Sequence, residues 1–106
     1  MRRKQLQYLN RQRKIVKQLP PNVTLYKRTP EFDEVSVPKG LLHEHQTKEG
    51  VWGKIVVLEG KLRYTINEPQ EEVVILDENI YGVVEPAVRH EVTPLGNVKF
   101  YVEFYR

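Results

Sequence analysis

The chain of 106 residues has no cysteine, one methionine and one tryptophan. Without cysteine there is no disulfide frame, no thiolate metal centre and no cysteine nucleophile. No run of 18 apolar residues occurs, which excludes a helical membrane span. The basic start has no apolar stretch behind it, so no secretory signal is read and the cytoplasm is the expected location. Internal repeats and low-complexity tracts are also missing. What remains is 40% hydrophobic and 29% charged, a globular composition. The length predicts one domain, hiding roughly 65% of its unfolded surface.

Charge is distributed unevenly. Arg2, Arg3, Lys4, Arg11, Arg13, Lys14 and Lys17 place +7 in residues 1–18, without an acid, and the remainder carries −4, giving +3 in total. Leu6, Leu9, Val16 and Leu19 recur at spacings near a helical period. The reading is an amphipathic basic helical arm over 1–20, ended by Pro20-Pro21, since a residue before proline is held extended. Tyr8 is its single aromatic, a poor stacking platform. Nucleic-acid binding is therefore not expected, and would fall to arm 1–18 alone. A +7 arm and a −4 body also attract each other, which favours self-association.

Residues 21–106 read as all-β. Expected strands are Val23–Arg28, Val35–Val37, Leu41–Gln46, Trp52–Leu58, Lys61–Ile66, Glu72–Leu76, Ile80–Val84, Arg89–Val92 and Val98–Tyr105. Leu62, Tyr64 and Ile66 alternate with Lys61, Arg63 and Thr65, and Val98, Phe100, Val102 and Phe104 alternate with Lys99, Tyr101, Glu103 and Tyr105. Such alternation marks strands with one buried face. Glu59-Gly60 supplies a tight turn. Eight or nine short strands with regular turns point to a sandwich or barrel.

Three histidines stand out. In His43-Glu44-His45 the two imidazoles share a face if the segment is a strand, and His90 sits near another strand. Two imidazoles on one strand and a third from a neighbour make a facial ligand set with open positions for water or substrate. The alternative is a pair of partly exposed histidines with no metal.

Gly40-Leu-Leu-His43-Glu-His45 with Gly60, and Pro86 with His90, resemble the two motifs of the cupin superfamily. Tyr26-Lys-Arg-Thr-Pro30, His45-Gln-Thr-Lys-Glu-Gly-Val-Trp-Gly-Lys54, Val57-Leu-Glu-Gly-Lys-Leu62, Val84-Glu-Pro86 and Val98-Lys-Phe-Tyr-Val-Glu-Phe104 are similar to the TehB/YeaR-like family, linked to tellurite resistance. This resemblance covers residues 23–106. It implies a single cupin-type double-stranded β-barrel (jelly roll) over 21–106, holding one divalent transition metal (zinc, iron or nickel) on His43, His45 and His90. Glu49 is a candidate additional ligand. Trp52, Gly53, Lys54 and Glu85 are candidate pocket or outer-sphere residues. In longer relatives the barrel precedes a methyltransferase domain, and no glycine-rich nucleotide loop is found here, so methyl transfer is not expected of this chain.

The function expected from these readings is divalent-metal binding in a tellurite-resistance-like protein, in oxyanion or oxidant stress. The alternatives are a small metal-dependent dioxygenase or isomerase and a non-catalytic ligand sensor or binding module. A homodimer and a small-molecule or oxyanion ligand are the expected partners.

Overall fold

The computed structural model describes residues 17–106. Eight strands run β1 Leu25–Arg28, β2 Phe32–Asp33, β3 Trp52–Glu59, β4 Leu62–Ile66, β5 Glu72–Leu76, β6 Gly82–Val84, β7 His90–Pro94 and β8 Lys99–Tyr105, with one 3-10 turn at Lys39–Leu42. The chain is all-β. One sheet has the order β1-β8-β3-β6, with β2 also paired to β8, and the other has the order β5-β4-β7. All of these pairs are antiparallel. The expected basic arm falls mostly on residues outside those described, and residues 17–20 carry no helix. Among the described residues no helix is long and apolar enough to cross a membrane.

The alternation read from the sequence decides which faces meet. Ile55 and Val57 of β3, Phe100 and Val102 of β8, Val84 of β6, and Leu62, Tyr64 and Ile66 of β4 are buried in one core, joined by Leu76 and Val92. Each such side chain stabilises the fold by about 1.5–3 kcal/mol relative to exposure. The Tyr64 hydroxyl crosses from one sheet to the other and donates to the Val83 carbonyl at 2.9 Å. Burial, with Glu85 and Glu72 nearby, pushes that phenol well above its ordinary pKa, so it stays a donor.

Two expected strands are not strands. At Val35–Val37 the Asp33 carboxylate accepts the Val35 and Ser36 N–H groups at 2.8 and 2.7 Å, and this local turn outcompetes strand pairing. Leu41–Gln46 is instead the end of the 3-10 turn followed by a single bridge, His45 to His90.

Glu103 is buried although it lies on the outward-facing side of β8. Its carboxylate accepts from Arg28 at 2.8 Å and from the Tyr105 hydroxyl at 3.0 Å, and the Arg28 guanidinium lies 4.3 Å from the Tyr101 ring centre. Burial alone raises the carboxyl pKa, but the bonds from Arg28 and Tyr105 and the charges of Arg28 and Lys54 outweigh it, leaving it below the ordinary value. A depressed carboxylate stabilises the fold above the unfolded-state pKa of about 4.3, and that stability disappears as pH falls through the native value. Glu103→Gln is therefore expected to lower stability at neutral pH and to flatten the acid limb of the stability curve, measured by urea unfolding between pH 7 and pH 3.

Gly60 turns β3 into β4 at φ +78°, and a Cβ there would collide with the Asn97 carbonyl. A backbone carbonyl cannot rotate away, and positive φ already disfavours other residues. Gly60→Ala is expected to cost about 2 kcal/mol or more, read as a lowered urea midpoint.

Candidate functional site

The two sheets are incompletely filled at one end. There a partly open cleft of about 290 Å³ is lined by Phe32, Leu41, His45, Ile55, Val84, His90, Val92, Phe100, Val102 and Phe104, with Lys27 and Thr29 among its other walls. Its lining is mostly aliphatic and aromatic, and the two imidazoles are its conspicuous polar groups. Phe32 and Phe100 meet edge to face, with ring centres 5.7 Å apart.

His45 and His90 are brought together by the backbone. Each donates its N–H to the other's carbonyl at 2.7 Å. The rings stand 5.3 Å apart at 82°, and the Tyr64 ring lies 6.0 Å from that of His90. The connecting segments are fastened to one another as well: the Thr47 hydroxyl donates to the Val51 carbonyl at 2.9 Å, and the Ala87 N–H donates to the Thr47 carbonyl at 3.2 Å.

His90 is only 4% exposed. Its Nδ1 lies 3.1 Å from the Val88 carbonyl. A carbonyl can only accept, so Nδ1 carries the proton and Nε2 keeps its lone pair. Burial lowers the His90 pKa; the Val88 bond opposes this, and the electrostatic influence of the neighbouring His45 imidazole adds to the lowering. The ring is accordingly the neutral, Nδ1-protonated tautomer.

The remaining expected site residues lie elsewhere. His43 follows the 3-10 turn and is exposed. The period of two that placed it beside His45 requires a strand, and this segment is not one. Glu49 is exposed in a turn. The Lys54 ammonium sits 4.4 Å from the Tyr81 ring centre. Glu85 pairs with Lys17 at 3.2 Å. Trp52 lies two residues before Lys54 on β3, out of step with the buried Gly53 and Ile55. Gly53 does not leave room for a ligand: a Cβ there would stand 3.1 Å from that of Val84, so this glycine lets β3 and β6 approach closely. Among the cleft walls that sequence reasoning missed are Phe32 and Leu41. Their signal was weak, because both lie in short irregular stretches.

Against known proteins, the TehB-like domain matches residues 27–102. The chain belongs to the TehB-like family. It is 34% identical over 76 residues to a Haemophilus influenzae protein named "Probable S-adenosyl-L-methionine-dependent methyltransferase TehB", covering 68% of this chain and 27% of that protein. A second strain's protein of the same name is 33% identical over the same length. The chain thus spans about a quarter of these TehB relatives. The crystal structure of Haemophilus influenzae TehB superposes with a TM-score of 0.73 at 29% identity, over 80% of this chain and 32% of that one. An Escherichia coli K12 protein superposes with a TM-score of 0.77 at 20% identity, covering 85% of this chain and 96% of its own, which shows a shared fold.

These findings correct the metal-binding cupin reading. Among the described residues no three His, Cys, Asp or Glu side chains are grouped so as to hold a metal ion, because the turn before His43 carries it away from His45 and His90. The family shown is TehB-like, and its relatives are named as probable S-adenosylmethionine-dependent methyltransferases, not for a transition metal. The zinc, iron or nickel cofactor, the metal-dependent enzyme alternatives and the stress function built on that metal are replaced accordingly.

Two outcomes follow. Prolonged dialysis against EDTA is expected to leave the melting temperature unchanged. In an NMR titration His90 is expected to protonate below 6.5, the ordinary histidine value. Because its native pKa is depressed, stability falls as pH drops below 6.5 toward that native value.

Proposed function

We propose that this chain is the acceptor-holding domain of a TehB-type methyl-transfer system: its cleft takes up a small, largely apolar molecule that is the methyl acceptor. The observation that carries this reading is the cleft itself, an apolar pocket with two imidazoles held face to edge. Concave, mostly apolar sites with a few fixed polar groups are the usual form of small-molecule sites. The names of the TehB relatives supply the reaction class.

The cleft does not fit S-adenosylmethionine. That molecule brings a sulfonium, an ammonium and a ribose diol, which call for carboxylates. Among the described residues the cleft walls hold none, and Lys27 is their one lysine or arginine. Burying an unpaired positive charge among phenylalanines is strongly unfavourable. In this reading the methyl donor is bound by other parts of the system.

The same proposal takes residues 21–106 as the folded domain and residues 1–20 as a separate basic arm. It also takes the active form to be a homodimer. The β1 edge with its exposed Leu25 and Tyr26 favours such pairing, and light scattering is expected to give twice the 12.6 kDa chain mass.

The test is a titration of the full chain with a panel of small neutral apolar compounds, followed by backbone amide NMR. Shifts are expected to gather at Phe32, Leu41, His45, His90 and Phe104, and to vanish in Leu41→Trp, which fills the cleft from a half-buried turn. If no compound shifts these residues, or if S-adenosylmethionine itself does so, the reading is overturned.

A further inference from the structure

We infer that the cleft selects a neutral aromatic ligand bearing a hydroxyl, a molecule of the phenol class, whose O–H donates to His90 Nε2. This rests on the cleft reading above and deepens it.

Three observations converge. The first is the locked tautomer. His90 Nδ1–H is committed to the Val88 carbonyl at 3.1 Å, and among the described residues no side chain or backbone group donates to the other ring nitrogen. What the ring offers a ligand is therefore an acceptor. An acceptor in an apolar pocket favours a partner that brings a hydrogen, and rejects one that brings only lone pairs.

The second is the character of the walls. Phe32, Phe100 and Phe104 line the cleft, and the Phe32–Phe100 pair already shows the edge-to-face geometry that a ligand ring would extend. His45 presents a further ring against His90. Size agrees with this: about 290 Å³ is roughly twice a dry cavity of about 150 Å³ that takes up benzene. One substituted ring fits with room to spare.

The third is charge. Among the described residues the cleft has no acidic wall residue to attract a cation. Besides the two imidazoles, its one basic wall residue among those described, Lys27, lies on β1, whose residues are all exposed, so a carboxylate drawn to it would stay at the solvent edge. A neutral donor is the chemistry that suits the interior.

The experiment compares phenol, anisole, toluene and benzoate on the wild-type full chain. It reads amide shifts of the cleft residues and the ¹⁵N shift of His90 Nε2. Phenol is expected to bind at least about tenfold more tightly than anisole, the loss expected when a buried hydrogen bond goes unmade, and to move the Nε2 resonance in the direction of an accepted hydrogen bond. Anisole is expected to leave that resonance in place. His90→Phe keeps a ring in the cleft without the acceptor, and is expected to bring phenol and anisole to equal affinity. If that variant does not fold, the wild-type Nε2 resonance still decides the question.

Equal binding of phenol, anisole and toluene would overturn the hydroxyl inference while leaving the apolar cleft as a binding site. Tighter binding of benzoate than of phenol would overturn it in favour of an anion held by Lys27. Binding by none of the four, while aliphatic members of the neutral panel still shift the cleft amides, would overturn the aromatic class alone. Silence from every compound in both experiments would overturn the cleft reading as well.

Discussion

The mutual pair of backbone bonds between His45 and His90, each 2.7 Å long, is the contact on which the candidate site depends. It ties an irregular segment, entered from a 3-10 turn, to the end of β7. Because the bonds are reciprocal, the two residues sit directly opposite one another as a hydrogen-bonded antiparallel pair, with their side chains as cross-strand neighbours on one face. The two imidazoles are neighbours for that reason and not because of their spacing in the sequence. The same contact sets the 3-10 turn with Leu41 over the open end of the sandwich. The cleft thus has a wall that belongs to neither sheet.

The fold was legible wherever a long alternating run faced a single core. Leu62-Tyr64-Ile66 and Phe100-Val102-Phe104 announce their inward faces, and β3, β4, β5 and β8 lie close to where the pattern places them. Legibility failed where one residue redirects the chain. Asp33 gathers two N–H groups and turns Val35–Val37 away from pairing. The turn at Lys39–Leu42 breaks the register that would have set His43 beside His45. A period of two is a statement about strands, and outside one it assigns no side chain to a face.

The histidines show the same division. Their chemistry as a set of three depended on a geometry that the chain does not adopt, whereas the chemistry of two follows from contacts that the sequence does not display. No pattern in the residues around His90 indicates that the Val88 carbonyl takes its Nδ1 proton, because that bond spans only two residues and depends on the local path of the backbone. Family resemblance reached further than motif chemistry: it found the TehB-like domain, while the metal associated with the wider superfamily did not follow from it.

One further consequence comes from β2. This strand is two residues long and is held to β8 through Phe32↔Phe100 and Asp33↔Lys99, whereas β3 pairs with the same strand from Trp52↔Tyr105 to Glu59↔Lys99. Local opening follows the least-supported backbone. The Phe32 side of the cleft therefore yields before the β3 side, and the site has one soft wall and one rigid one. If the cleft takes up a guest as proposed, the wall that gives way to a broader one is Phe32.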